Sequence, residues 1–343
     1  MKVDANIGSE MNRIPSEAKR LEDMGYSGLR IAELNHDPFM PLAIAASHTK
    51  SIELITSVAV AFSRNPMSMA TLAHDLNAFS KGRFILGLGS QVKPHIERRF
   101  SMPWHKAAAQ MREFIEAMQA IFSCWYEGER LAYEGEFYQH TLMPATFKPE
   151  TQGHTRPRIM LSATGPLMTK LAAEIADGMM MHPFSSEKYL KEVTLPAIRT
   201  GLNQSGRDLA DFDLDYAPMI ACSDSQEGLE KAIKQVKARI AFYGCTVAYK
   251  PVLDIHGWGE LQAELIALNR QHRTDEMSAL ITDEMVKTIA IVGDPDAVID
   301  QMIARFDGNI ARSGFVVDGI EPDRMQELVA KLRNSGAAST QVT

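Results

Sequence analysis

The segment Phe84-Ile85-Leu86-Gly87-Leu88-Gly89 constrains this chain more than any other. It is an apolar run with no polar face. Both of its sides must be covered, which is the condition of a strand in a parallel sheet flanked by helices. It then breaks into Ser90 and Gln91. A buried strand ending in glycine and small residues lets the backbone approach a ligand and offers N–H donors. In parallel α/β folds ligands lie at the carboxyl ends of the strands, so one stretch predicts both the fold and the place of the site.

The rest of the chain repeats the unit. Strands are expected at 3–7, 29–32, 52–61, around Leu86, 158–162, 178–181, 212–221 and 313–317, each followed by a helical pattern. Repeated alternation without hairpins demands right-handed crossovers and a parallel sheet. Eight such units make a (β/α)₈ barrel, the TIM-barrel class of α/β folds. Two stretches fall outside the alternation, at about 125–157 and 244–285. The first holds a hairpin pattern, Leu131-Ala132-Tyr133 against Phe137-Tyr138, and a Pro- and Gly-rich loop. One domain over 1–335 with two insertions is expected, and 336–343 reads as a frayed tail.

Composition removes several function classes. A net charge of −7 argues against non-specific nucleic-acid binding, and no apolar run reaches the roughly 18 residues needed to span a bilayer. Met1-Lys2-Val3-Asp4 has no secretory pattern, and Cys124, Cys222 and Cys245 are far apart and odd in number. Both point to a reducing cytoplasm. No histidine or cysteine spacing matches a metal site, and no pair of carboxylates stands at acid/base positions. A pocket holding a cofactor that does the chemistry itself, acting on a small-molecule substrate, is the remaining expectation.

Strand ends supply the candidates. Ser162-Ala163-Thr164-Gly165-Pro166 runs straight into a helix, so Thr164 and Gly165 either bind a phosphate or form a plain N-cap. His36 either donates a proton near the site or caps loop backbone. His182 either faces the pocket or packs as a hydrogen-bonded core residue. Glu33 either meets the ligand or ties neighbouring strands together.

Thr56-Ser57-Val58, Arg64-Asn65-Pro66, Gly82 to Gly89 and Ala176-Asp177-Gly178 together resemble the bacterial luciferase-like monooxygenase superfamily. The resemblance runs from Val3 to about Leu332 and is closest to the deazaflavin-dependent oxidoreductases that use coenzyme F420. It implies a barrel with the cofactor at the strand C-termini and a non-prolyl cis peptide at Ser57–Val58 behind its central ring. It implies a phosphate held at Thr164-Gly165, and His182 beside the ring. On this basis Glu33, Asn35, Ser57, Val58, Gly89, Ser90, Gln91, Thr164 and Gly165 are expected to bind the cofactor, and His36 and His182 to serve catalysis. Asn35 and Val92 stand where better-known deazaflavin dehydrogenases carry His and Glu, so the acid/base pair of the sugar-phosphate members is absent or displaced. The leading expectation is hydride transfer between F420 and a small organic substrate. An FMN-dependent monooxygenase fed by a separate reductase is one alternative, and a non-redox barrel binding a phosphorylated ligand is another. A homodimer is the default assembly.

Overall fold

The computed structural model describes residues 1–306, 308–317 and 319–335. Eight parallel strands form the barrel: β1 (Lys2–Asn6), β2 (Gly28–Ile31), β3 (Glu53–Thr56), β4 (Phe84–Gly89), β5 (Arg158–Ala163), β6 (Gly178–Met181), β7 (Asp213–Tyr216) and β8 (Arg312–Gly314). Each pairs with its neighbour in chain order, and β8 closes on β1 through Lys2↔Arg312, Val3↔Ser313 and Asp4↔Gly314. The expected TIM barrel is present. The expected tail, 336–343, lies outside the described residues.

Alternation along the strands sorts the side chains. Leu54, Leu86, Leu88, Ile159, Leu161, Met179 and Met181 belong to the main core, shared with the surrounding helices. Their neighbours Ile55, Ile85, Met160 and Met180 form a separate apolar cluster, packed by Val58. These fill the barrel interior on the β3–β6 side. On the other side the interior is charged. Asp4, Arg30, Asp215 and Arg312, from β1, β2, β7 and β8, are all at least 97% buried. Arg30 donates to Asp4 at 2.7 and 2.5 Å and to Asp215 at 2.7 Å. Arg312 donates to Asp4 at 2.6 Å and also reaches Glu53.

The last strand covers only Arg312–Gly314 against the expected 313–317, and two others divide where one strand was expected. The stretch 52–61 is not one strand: β3 stops at Thr56, the Ser57–Val58 peptide is cis, and Ala59–Val60 resumes pairing against β4. Thr56 fills the break. Its hydroxyl donates to Gly87 C=O and accepts from Gly87 N–H, both at 2.9 Å. A Cβ on Gly87 would stand 1.9 Å from Thr56 O, so only glycine fits there. The stretch 212–221 also divides. Pro218 has no N–H to donate, and the chain leaves the barrel there. Met219–Cys222 pairs in parallel with Ala290–Gly293 instead. This small sheet joins helices Gln226–Gly244, Leu261–Arg270 and Asp283–Ile289 in a second apolar cluster containing Phe184, Val236, Leu253, Leu265 and Val286.

The first insertion does form a hairpin, with Tyr133↔His140 and Glu134↔Gln139, two residues beyond the expected positions. A carboxylate fixes it: Glu113 accepts from the N–H groups of Glu136, Phe137 and Tyr138 at 2.7–3.3 Å. That tie comes from a distant helix, which local pattern does not register.

Candidate active site

The C-terminal rim is built around the Ser57–Val58 bulge. Ser57 N–H donates to Ile31 C=O at 2.7 Å, and Val58 C=O accepts from Glu33 N–H at 3.1 Å. The Glu33 carboxylate accepts from Val60 N–H at 2.8 Å and from Arg64 at 2.7 Å. Glu33 therefore braces the bulge from both sides. Arg64 continues the brace to Asp37 at 2.9 Å and lies over the Phe39 ring. Asp37 accepts from Phe39 N–H at 2.8 Å, starting the helix Phe39–His48.

Val58 is half-buried and leans across the barrel mouth. A Cβ on Gly89 would meet Val58 Cγ2 at 2.7 Å and Ser162 Cβ at 3.9 Å. The ends of β3, β4 and β5 thus form a close wall of small groups. Beyond it the chain turns sharply: Gln91 has φ of 59°, and its side-chain oxygen accepts from Val92 N–H at 3.0 Å. Ser90 Oγ donates to Gln91 C=O at 3.0 Å.

After β5, Gly165 is the N-cap of helix Pro166–Ile175, in extended conformation with no side-chain cap. The first-turn N–H groups of this ten-residue helix have no side-chain acceptor, which suits an anion. Nothing stands within 4 Å of a Cβ position on Gly165. Thr164 C=O accepts from the Tyr189 hydroxyl at 3.1 Å.

His182 follows β6. Its ring lies 4.3 Å from the Tyr249 ring at an interplanar angle of 31°, with Tyr243 edge-on at 4.6 Å. Burial pushes its pKa down to about 4. Nδ1 accepts from Phe184 N–H at 3.1 Å, so the neutral ring carries its proton on Nε2. Thr164 and His182 line one internal cavity of ≈ 10 Å³, room for about one water.

The structure therefore draws Glu33, Ser57, Val58 and Gly89 into one braced wall, and Thr164 with His182 into a second group. Asn35 and His36 lie exposed in the loop after β2, with no hydrogen bond to either group. Sequence reasoning quoted Thr56 and Arg64 within the family motifs without giving them a role, and it missed the charged barrel interior. The one signal was charge at inward positions of otherwise apolar strands, as in Gly28-Leu29-Arg30-Ile31.

The wall of small groups and the uncapped helix beside it fit a flat ring with a phosphate tail. A closed parallel barrel opening on such a rim is of the TIM-barrel class, whose sites lie at the C-terminal ends of the strands. The luciferase-like monooxygenase family model matches residues 3–312, and the chain belongs to that family. An uncharacterised protein of Mycobacterium tuberculosis is 44% identical over 91% of this chain and 92% of its own length. The 5,10-methylenetetrahydromethanopterin reductase of Archaeoglobus fulgidus is 30% identical over 83% of each chain. Among solved structures, the coenzyme F420 dependent tetrahydromethanopterin reductase from Methanopyrus kandleri superposes with a TM-score of 0.76, at 22% identity over 96% of each chain. No helix among the described residues is long and apolar enough to cross a membrane.

Proposed function

We propose that this enzyme binds coenzyme F420 at the rim and moves a hydride between its deazaflavin ring and a small organic substrate. The observation that carries this reading is the adjacency of two features at neighbouring strand ends. The Val58, Gly89 and Ser162 wall takes a flat ring, and the uncapped helix N-terminus at Gly165 takes a phosphate. The archaeal reductase relatives support it, since the name of the Methanopyrus protein records F420 dependence.

The cofactor supplies the hydride chemistry when bound. Val58 and Gly89 set the depth of the ring, and Glu33 with Arg64 keeps Val58 in place. Ser57, Ser90 and Gln91 edge the wall, and Asn35 and His36, exposed in the loop after β2, are proposed to reach the bound cofactor. Thr164 and the first-turn N–H groups hold the phosphate. His182, neutral at pH 7, offers an Nε2–H hydrogen bond and not a transferable positive charge. Correct placement of two reacting carbons is most of what hydride transfer asks of a protein.

Titration of the cofactor-free protein with F420 and separately with FMN, followed by fluorescence, tests the reading. Micromolar or tighter F420 binding with weaker FMN binding is expected. Preference for FMN, or binding of neither, removes it.

A further inference from the structure

The charged half of the barrel interior has one group the proposed function does not use. Arg30 is 3% exposed, yet its guanidinium is only partly satisfied. Nε and Nη2 are held by Asp4, and Nη2 also by Asp215. Nη1 has no acceptor among the described residues. Arg312 Nη1 and Asp215 Oδ2 also lack partners, but they are sealed from solvent. Arg30 keeps a residual side-chain exposure of 4%.

The unpaired nitrogen lies near the end of β8. Arg30 Nη1 is 4.0 Å from the position a Cβ would take on Gly314, and that position is 2.8 Å from Ala217 Cβ. Gly314 ends β8 and Ala217 follows β7, so both belong to the C-terminal rim. Both are half-buried. Gly314 has no side chain to cover the guanidinium. Two carboxylates hold the cation, and Nη1, the nitrogen without an acceptor among the described residues, lies beside Gly314 at the end of β8. A planar donor held this firmly is preorganised: it loses no rotamer freedom when an acceptor arrives.

We infer that Arg30 Nη1 is a recognition group at the barrel mouth, donating to an electron-rich oxygen, carbonyl or carboxylate, on the molecule bound there. This rests on the proposed function only for the identity of the cofactor. The oxygen has two sources, a carbonyl of the cofactor ring or a carbonyl or carboxylate of the substrate. Asp4 and Asp215 are positioning residues for this group. A guanidinium in low-dielectric surroundings discriminates strongly for such oxygens, because leaving it unmatched forfeits a charge-assisted bond.

The experiment compares wild-type protein with Arg30→Lys by calorimetric titration. F420 and FMN are added to the cofactor-free protein, and sodium acetate is added to the F420-saturated protein. Thermal unfolding of each is recorded. Weakening of roughly tenfold or more in the variant, with its melting point close to wild type, supports the inference. Loss in the cofactor arm assigns the oxygen to the ring, and loss in the acetate arm assigns it to the substrate. Unchanged affinity in both arms overturns it, as does wild-type protein that binds acetate in neither form while cofactor affinity is unchanged. Should Arg30→Lys not fold, a crystal structure of wild-type protein with F420 and acetate decides. A ligand oxygen within about 3.2 Å of Nη1 supports the inference, and Nη1 meeting only water or protein overturns it. If wild-type protein binds neither F420 nor FMN, the proposed function falls. Arg30 is then judged alone by acetate binding to the cofactor-free protein, present in wild type and lost in the variant.

Discussion

His182 illustrates how much a single residue's surroundings decide. Its position after a barrel strand was readable from sequence, but its protonation was not. Tyr243 and Tyr249 come from elsewhere in the chain, and Phe184 N–H folds back from two residues on. Burial lowers its pKa from 6.5 to about 4. The unfolded chain therefore takes up a proton below pH 6.5 that the folded protein refuses until about pH 4, and stability falls as pH falls through that window. Wild-type protein should lose up to about 3 kcal/mol relative to His182→Gln between pH 7 and pH 4, read by urea unfolding at each pH. A constant difference across the range would show the ring to be solvated. Gly165 permits a second test at this scale. An aspartate there caps the helix and should stabilise the protein by roughly a few tenths of a kcal/mol. The same carboxylate repels a phosphate, so Gly165→Asp should raise the melting point while weakening F420 binding at least tenfold. Tighter or equal binding would remove the phosphate from this helix.

At the scale of elements, the strands that are continuous and fully covered were legible. β6 falls where expected, and β4 is buried at every position. The strands that break were not. Apolar, largely β-branched residues run through 52–61, so the break after Thr56 depends on what lies across the ladder, while in 212–221 Pro218 alone marks where the chain departs. In β3 the deciding partner is Gly87, whose N–H and C=O are both bonded to the Thr56 hydroxyl. Only the family resemblance pointed to the Ser57–Val58 cis peptide. In β7 the partner is Ala290–Gly293, some seventy residues away. Gly87→Ala should cost about 3 kcal/mol, because the new Cβ meets backbone that has no free direction to move. Gly87→Ala protein with wild-type unfolding in urea would mean that β3 and β4 can part at this point.

Across the whole molecule, the barrel interior divides into an apolar half and an ionic half. Burial alone would push the Asp4 carboxyl up, but Arg30 and Arg312 outweigh it and hold it below its usual range. Burial pushes Asp215 up, and its contact with Arg30 does not offset that. The signs are opposite. Asp4 contributes stability above pH 3.8 that is lost as pH falls through its lowered value. Asp215 contributes stability that is lost as pH rises through its raised value. At pH 7, Asp4→Asn should therefore cost about 3–5 kcal/mol, whereas Asp215→Asn should be neutral or stabilising. Equal losses in urea unfolding would show the two carboxylates to be equivalent. Pattern reading registers each member only as a charge in a separate, largely apolar strand, and only closure of the ring brings them together.

The departure of the chain from the barrel at Pro218 has a wider effect. The polypeptide that finishes one stave of the barrel goes on to frame the neighbouring helical annex, and that annex supplies both tyrosines flanking His182. Barrel and annex thereby hold separate apolar clusters, connected at Pro218, after β6 and again where the chain returns to β8. Repacking of the annex around Tyr243 and Tyr249 therefore reaches His182 without altering the pairing of the staves beneath.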